Sequence, residues 1–270
     1  MILALAALTS WTPVPGSAEV TWTARETDDS RSKVTLTIKG RKVFDGLADS
    51  VHPAPQWTSL TNRFPIPFEM QKFITFDRKG EIVGQFEYGD AFDPRNLVLS
   101  GDWIFGRYFS AWTMGGGLYS SDPSQQIAVF DGKSSKPVAS ASPIKVGHPV
   151  AVWKPGQALF ILPTQAMLKN KQRAERITFQ VRDSKLRLIE TYVSEEKQSL
   201  DIWLYLADDE ASWRPEGRSV REFGRGLQDY SGGGEHKYSL DGRTLKILVG
   251  LENSYQPKTH RLLATRVGSK

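Results

Sequence analysis

Lys237-Tyr-Ser-Leu-Asp-Gly-Arg-Thr-Leu-Lys-Ile-Leu-Val249 reads as two extended segments joined by a tight reversal. Tyr238 and Leu240 fall on one side of the first segment, and Leu245, Ile247 and Val249 on one side of the second. Period-two alternation of this kind gives each strand one buried face. Asp241-Gly242 between them supplies the positive φ that a twist-matched hairpin turn requires. Four more stretches follow the same rule: Lys33–Phe44 around Lys39-Gly40, Phe73–Val83 around Arg78-Lys79-Gly80, Ile127–Val138 around Asp131-Gly132, and Ile177–Ile189 around Asp183-Ser184. The fold class that results is all-β and hairpin-based.

The five turns fall near residues 40, 79, 132, 184 and 242, so the intervals are 39, 53, 52 and 58. Units of roughly 40–50 residues, one small sheet each, are what radial repeat architectures show. Phe130-Asp131-Gly132-Lys133 and Tyr238-Ser239-Leu240-Asp241-Gly242-Arg243-Thr244-Leu245 resemble the aromatic-x-x-Asp-Gly-Lys/Arg turns of β-propeller repeat proteins. The resemblance implies a β-propeller-like architecture. A β-sandwich is the alternative that the hairpins alone leave open.

Helix signals are sparse. Residues 163–176 are rich in helix formers and read either as two or three helical turns or as a polar hairpin connection. Ser219-Val-Arg-Glu222, stopped by Gly224, fits a one-turn capped helix. The segments 45–68, 112–125, 139–149 and 206–236 are rich in Pro, Gly, Ser and charge and read as long connections, where binding residues tend to gather.

The start, Met1-Ile-Leu-Ala-Leu-Ala-Ala-Leu8, is apolar and is followed by small residues at Gly16 and Ala18. Residues 1–18 therefore read as a signal peptide-like segment before a single β-rich domain over 19–270, although a basic leading region is missing and a buried first strand would look similar. Eight apolar residues are too few to span a bilayer, and no other run is longer, so no transmembrane segment is expected in the mature chain. With no cysteine, a disulfide framework, a thiolate nucleophile and a lipidated cysteine anchor are excluded. The net charge of +5 is dispersed: 16 Lys/Arg face 15 Asp/Glu in residues 1–164, and 19 face 15 in 165–270. That spread does not make the concentrated basic face that neutralising several phosphates of a nucleic acid demands.

Glu87, Asp90 and Asp93 lie within seven positions at a strand exit and are the candidate acid and base of a glycosidic hydrolysis, against the simpler reading of a solvated turn. Trp103, Tyr108, Trp112 and Tyr119, with Phe105 and Phe109, crowd one segment beside Gly115-Gly-Gly117 and are the candidate stacking surface for a sugar or extended chain. One alternating set of that segment must still serve the core. The four histidines, His52, His148, His236 and His260, stand apart and read as loop-surface residues, so no metal and no cofactor is expected. Arg214, Arg218, Arg221 and Arg225 form a local basic cluster, interleaved with Glu210, Glu216 and Glu222, that reads as a self-neutralised loop. Taken together these features describe a secreted or periplasmic non-catalytic binding or scaffolding protein whose partner is a polysaccharide or another protein. The alternative is a carbohydrate-active enzyme using the three carboxylates.

Overall fold

The computed structural model describes residues 7–11, 20–26, 31–49, 63–67, 72–77, 81–87, 98–100, 103–109, 125–134, 136–169, 171–207, 211–217, 234–251 and 258–268. Among the described residues four sheets form. The first is the antiparallel meander β1 (Ala7–Trp11), β2 (Val20–Glu26), β3 (Arg31–Ile38) and β4 (Arg41–Asp49). The second holds β5 (Arg63–Pro67), β6 (Lys72–Asp77) and β7 (Ile82–Glu87), and the third β8 (Val98–Ser100), β9 (Trp103–Phe109), β10 (Gln125–Phe130) and β11 (Ala139–Ala141). After the single turn α1 (Pro143–Val146) come β12 (His148–Lys154), β13 (Gln157–Ile161), α2 (Gln165–Leu168), β14 (Thr178–Asp183) and β15 (Leu188–Ser194). The last elements are α3 (Leu200–Leu206), β16 (Ser212–Pro215), β17 (Glu235–Asp241), β18 (Thr244–Leu251) and β19 (Lys258–Val267). The strands from β12 onward form one eight-stranded sheet in the order β12-β13-β14-β15-β19-β18-β17-β16, antiparallel except where β16 meets β17.

All five expected hairpins are antiparallel pairs: β3 with β4, β6 with β7, β10 with β11, β14 with β15, and β17 with β18. Their turns use the expected local chemistry. Lys39 and Gly40 take φ of 51° and 72°, the consecutive positive pair of a type I′ turn. Asp131 Oδ1 accepts the N–H groups of Lys133 and Ser134 at 2.9 and 3.0 Å, and Asp183 Oδ1 accepts those of Lys185 and Arg187, both at 2.9 Å. The protein is thus all-β and hairpin-built, with blade-sized meanders of three and four strands before the larger sheet.

That larger sheet curls until its two edge strands, β12 and β16, face each other. Tyr238 of β17 donates its hydroxyl hydrogen to the Val152 carbonyl of β12. Trp153 stacks on Tyr238 at 6.2 Å and leans on Tyr192 at 5.7 Å, while Trp213 of β16 meets Tyr238 at 6.4 Å and His236 at 5.0 Å. Five rings therefore run across the seam. Behind them Leu159, Ile161, Phe179, Val181, Leu245, Ile247, Val249, Leu262 and Ala264 pack into one buried cluster that fills the enclosed space. Each of the Val, Leu, Ile and Phe side chains contributes about 1.5–3 kcal/mol on burial. The helix α3 joins the same cluster through Trp203 and Leu206, and Trp203 Nε1 donates to the Leu162 carbonyl at 2.9 Å.

The other face of β12 and β13 is covered as well. Val152, Ala158 and Phe160 pack on Phe105, Ile127 and Val129 of the third sheet, with Phe105 and Phe160 edge to face at 6.1 Å. Alternation along β12 sends Ala151 to one core and Val152 to the other, and the register shifts on either side of this pair leave Val150 and Trp153 against the first core as well. The buried Ser100 hydroxyl ties the layers, accepting the Gln157 N–H at 3.2 Å and donating to the Lys154 carbonyl at 2.7 Å.

Several stretches read from the sequence take the following form in the structure. Ala7–Trp11, within the leader-like segment, is a strand paired with β2 from Ala7↔Ala24 to Trp11↔Val20. Of the helical alternative over 163–176 one turn forms, capped by Thr164, whose Oγ1 accepts the Met167 N–H at 3.2 Å; among the described residues after it, Glu175 makes an isolated antiparallel bridge with Gln198. The expected long connections 45–68, 139–149 and 206–236 contain β5, then β11 and α1, then β16. The capped turn at 219–222 lies outside the described residues.

Candidate functional site

Asp90, Asp93, Trp112 and Tyr119 lie outside the described residues. Glu87 ends β7 opposite Lys72, and Tyr108 sits in β9 opposite Gln126; for both, only the backbone position is described. Trp103 starts β9, half-buried against the core shared with β12 and β13. A Cβ placed on Gly156, at the turn between those strands, would lie 3.5 Å from Trp103 Cδ1, so the indole rests on that turn. Ile104, Phe105 and Gly106 are all buried, so this part of the segment is packed on both faces.

Three histidines depart from the loop-surface expectation. His148 and His236 are buried on strands and His260 is half-buried. His236 Nε2 lies 2.8 Å from the Tyr205 carbonyl, while its Nδ1 accepts the Gly250 N–H at 3.2 Å, a pattern that only the neutral Nε2–H tautomer satisfies. His260 pairs with the Gln198 side chain at 3.0 Å. Both serve strand and helix packing. In the Arg214 cluster, Arg214 pairs with Glu235 of the neighbouring strand, Trp213 joins the core, and Arg218, Arg221 and Arg225 lie outside the described residues. Among the described residues no three His, Asp or Glu side chains gather as a metal-binding set.

A different feature comes forward. Past the end of β13, residues 163–165, 173–176, Thr178 and Lys197 enclose an open cleft of about 570 Å³. Backbone pairing frames it: Leu162 N–H to the Thr178 carbonyl at 3.0 Å, and reciprocal bonds between Glu175 and Gln198 at 3.0 and 2.8 Å. Glu175 organises the wall. Its Oε2 accepts the Ala166 N–H at 2.8 Å, and its Oε1 accepts Arg173 Nε at 2.7 Å with Nη2 at 2.5 Å. The Ala166 amide holds the Glu175 carboxyl below its ordinary value, burial opposes this, and Arg173 reinforces it.

The cleft is lined by Arg173, Arg176 and Lys197 against one carboxylate, Glu175. Arg176 and Lys197 hold no ion pair among the described residues. A carboxylate already engaged by an amide and a guanidinium is a poor proton acceptor, whereas free guanidinium and ammonium groups are donors ready for an anion. The arrangement suits binding. A signal for it was present in the sequence: Lys169, Lys171, Arg173 and Arg176 face only Glu175 in eight residues, but they sat in a stretch read for its helix formers.

No family model matches the chain, and no curated protein matches it in sequence. Among solved structures, BamB from Moraxella catarrhalis superposes at a TM-score of 0.36 and 11% identity, covering 89% of this chain and 61% of that one. This chain thus spans less than two thirds of that protein's length. So loose a superposition establishes neither a family nor a role, and the class of protein rests on the strands themselves: an all-β, hairpin-built chain whose second half is a nearly closed eight-stranded sheet. No helix among the described residues is long and apolar enough to cross a membrane, a statement that leaves strands out of account.

Proposed function

We propose that the protein is a secreted or periplasmic, non-catalytic binding or scaffolding module of propeller-like build that meets its partner through the connections at the ends of its sheets. The observation that supports this most is the contrast between a sheet interior filled with side chains and an open, donor-lined cleft built by the β13–β14 and β15–α3 connections. A solid interior holds the connections in place and leaves recognition to them. The partner class is a protein or a polysaccharide.

The test pairs binding with turnover. A photo-crosslinker at Lys169, beside the cleft, is expected to trap a discrete partner in the producing cell, while one at the exposed Gly217 position traps none. Robust hydrolysis of a polysaccharide, abolished by Asp90→Asn or Glu87→Gln, would instead establish the carbohydrate-active alternative, in which Glu87, Asp90 and Asp93 act beside Trp103, Tyr108, Trp112 and Tyr119. Export is tested by fractionation with sequencing of the mature N-terminus. Cleavage after Ala18 would remove β1 and leave β2 as the sheet edge.

A further inference from the structure

We propose that the cleft beyond β13 is a phosphate site, with Arg173, Arg176 and Lys197 as its donors. The inference rests on the binding reading above and names the chemistry of that same cleft. The three cations come from two separate stretches of chain, 173–176 and 197, held together by the reciprocal Glu175–Gln198 backbone pairing. A carboxylate presents two coplanar oxygens and is served by a single guanidinium fork. A phosphate presents oxygens in tetrahedral directions with about −1.5 to −2 charge at neutral pH, and so matches several donors arriving from different sides.

The donors are prepared to different degrees. Arg173 is oriented by Glu175, which spends Nε and Nη2 on the carboxylate and leaves the rest of the fork unclaimed. Among the described residues, Arg176 and Lys197 hold no ion pair that a ligand would have to break. Glu175 itself is fixed from behind by the Ala166 amide. It is therefore a positioning residue: its negative charge opposes an anion in the cleft, yet its geometry holds the Arg173 guanidinium at the cleft wall.

These two roles of Glu175 predict opposite signs, which makes the test sharp. The full chain is titrated with inorganic phosphate and with glycerol 3-phosphate by calorimetry, near 50 mM and near 300 mM salt. Saturable binding is expected, weakened at the higher salt as screening grows. Arg176→Gln/Lys197→Gln is expected to lower affinity at least about tenfold, since it removes two charge-assisted contacts. The matched pair Lys133→Gln/Lys136→Gln, which removes the same net charge from exposed positions elsewhere, is expected to leave it unchanged. Glu175→Gln is expected to weaken binding despite making the cleft more positive. Tighter binding in Glu175→Gln, equal losses in both double variants, or no saturation by about 10 mM phosphate would each overturn the proposal. A clear preference for glycerol 3-phosphate identifies the source as an ester rather than the free anion. If the crosslinked partner of the previous subsection persists in Arg176→Gln/Lys197→Gln while phosphate binding never appears, the binding role stands and this site falls. If phosphate binds and no partner is trapped, the site stands and the binding-module role falls.

Discussion

The seam between β12 and β16 and the cleft beyond β13 belong to the same eight-stranded sheet and are held by opposite chemistry. At the seam, Tyr192, Trp153, Tyr238, Trp213 and His236 lie ring against ring, and the polar tip of Tyr238 is spent on the Val152 carbonyl. At the cleft, Glu175, Arg173, Arg176 and Lys197 stand in or near solvent; Glu175 and Arg173 are ordered by hydrogen bonds to the Ala166 amide and to each other, and Arg176 and Lys197 only line the wall. Dry contacts are worth more because no water competes for them; wet charges are worth little to stability and remain available to a ligand. The comparison teaches that one sheet can be closed by dry ring contacts at its seam while a connection outside it keeps its charged groups in water.

The largest effect that would sharpen this contrast is Trp203→Ala. Trp203 is 1% exposed and its indole N–H reaches Leu162, so removing it leaves a cavity beneath α3 and an unpartnered carbonyl. A loss of about 3–5 kcal/mol is expected in urea unfolding with an unchanged slope. A loss below about 1 kcal/mol would mean that α3 does not seal the sheet.

Gly147→Ala should follow. Gly147 has φ of 78° and an added Cβ would fall 2.3 Å from the Ile161 carbonyl oxygen, so the junction of α1 and β12 must shift. About 2 kcal/mol is expected, read as a lowered thermal midpoint.

Tyr238→Phe keeps the stacked ring and removes the hydroxyl, leaving Val152 without its donor. The expected cost is about 1–2 kcal/mol. Burial raises the Tyr238 phenol above its ordinary value of 10.0. Its contribution is therefore complete below pH 10.0 and falls as pH rises toward the folded value, because the unfolded chain releases the proton first. Tyr238→Phe should flatten that alkaline loss; an unchanged profile would break the assignment of the hydroxyl to the seam.

Glu175→Gln should cost less stability than any of these. The folded carboxyl lies below its ordinary 4.5, so its contribution is present above that value and disappears as pH falls through the lowered one. Smallest of all is Arg41→Ala: Arg41 and Glu81 pair at 3.0 Å, but both side chains are 60% exposed. A change within about 0.5 kcal/mol is expected from chemical denaturation.

The hairpins were legible because their causes are local. Lys39-Gly40, Asp131-Gly132, Asp183 and Gly242 reverse the chain through the φ they tolerate or the amides their side chains accept, and no distant residue is needed. Pro155-Gly156, with Gly156 at φ of 76°, makes a sixth reversal by the same logic and could have been read from the sequence. The helix α3 was harder. Ser199 caps it by accepting the Ile202 N–H at 3.4 Å, but Leu200-Asp-Ile-Trp-Leu-Tyr-Leu206 carries apolar residues on every side and shows no clear helical period. The histidines were misread for a related reason: His236 is buried because Tyr205, 31 positions earlier, meets it, and no window of sequence contains both.

Turn chemistry and strand alternation belong to the sequence, and they determined that this chain is built of hairpins, because a dihedral preference acts within a few bonds. That β15 would take β19 rather than the next strand, β16, as its second partner, that Tyr238 would reach Val152 across a seam, and that Lys197 would come beside Arg173 and Arg176 were settled only when the sheet assembled. Each of those contacts joins groups far apart along the chain, and their proximity is set by how whole strands pack around a shared core.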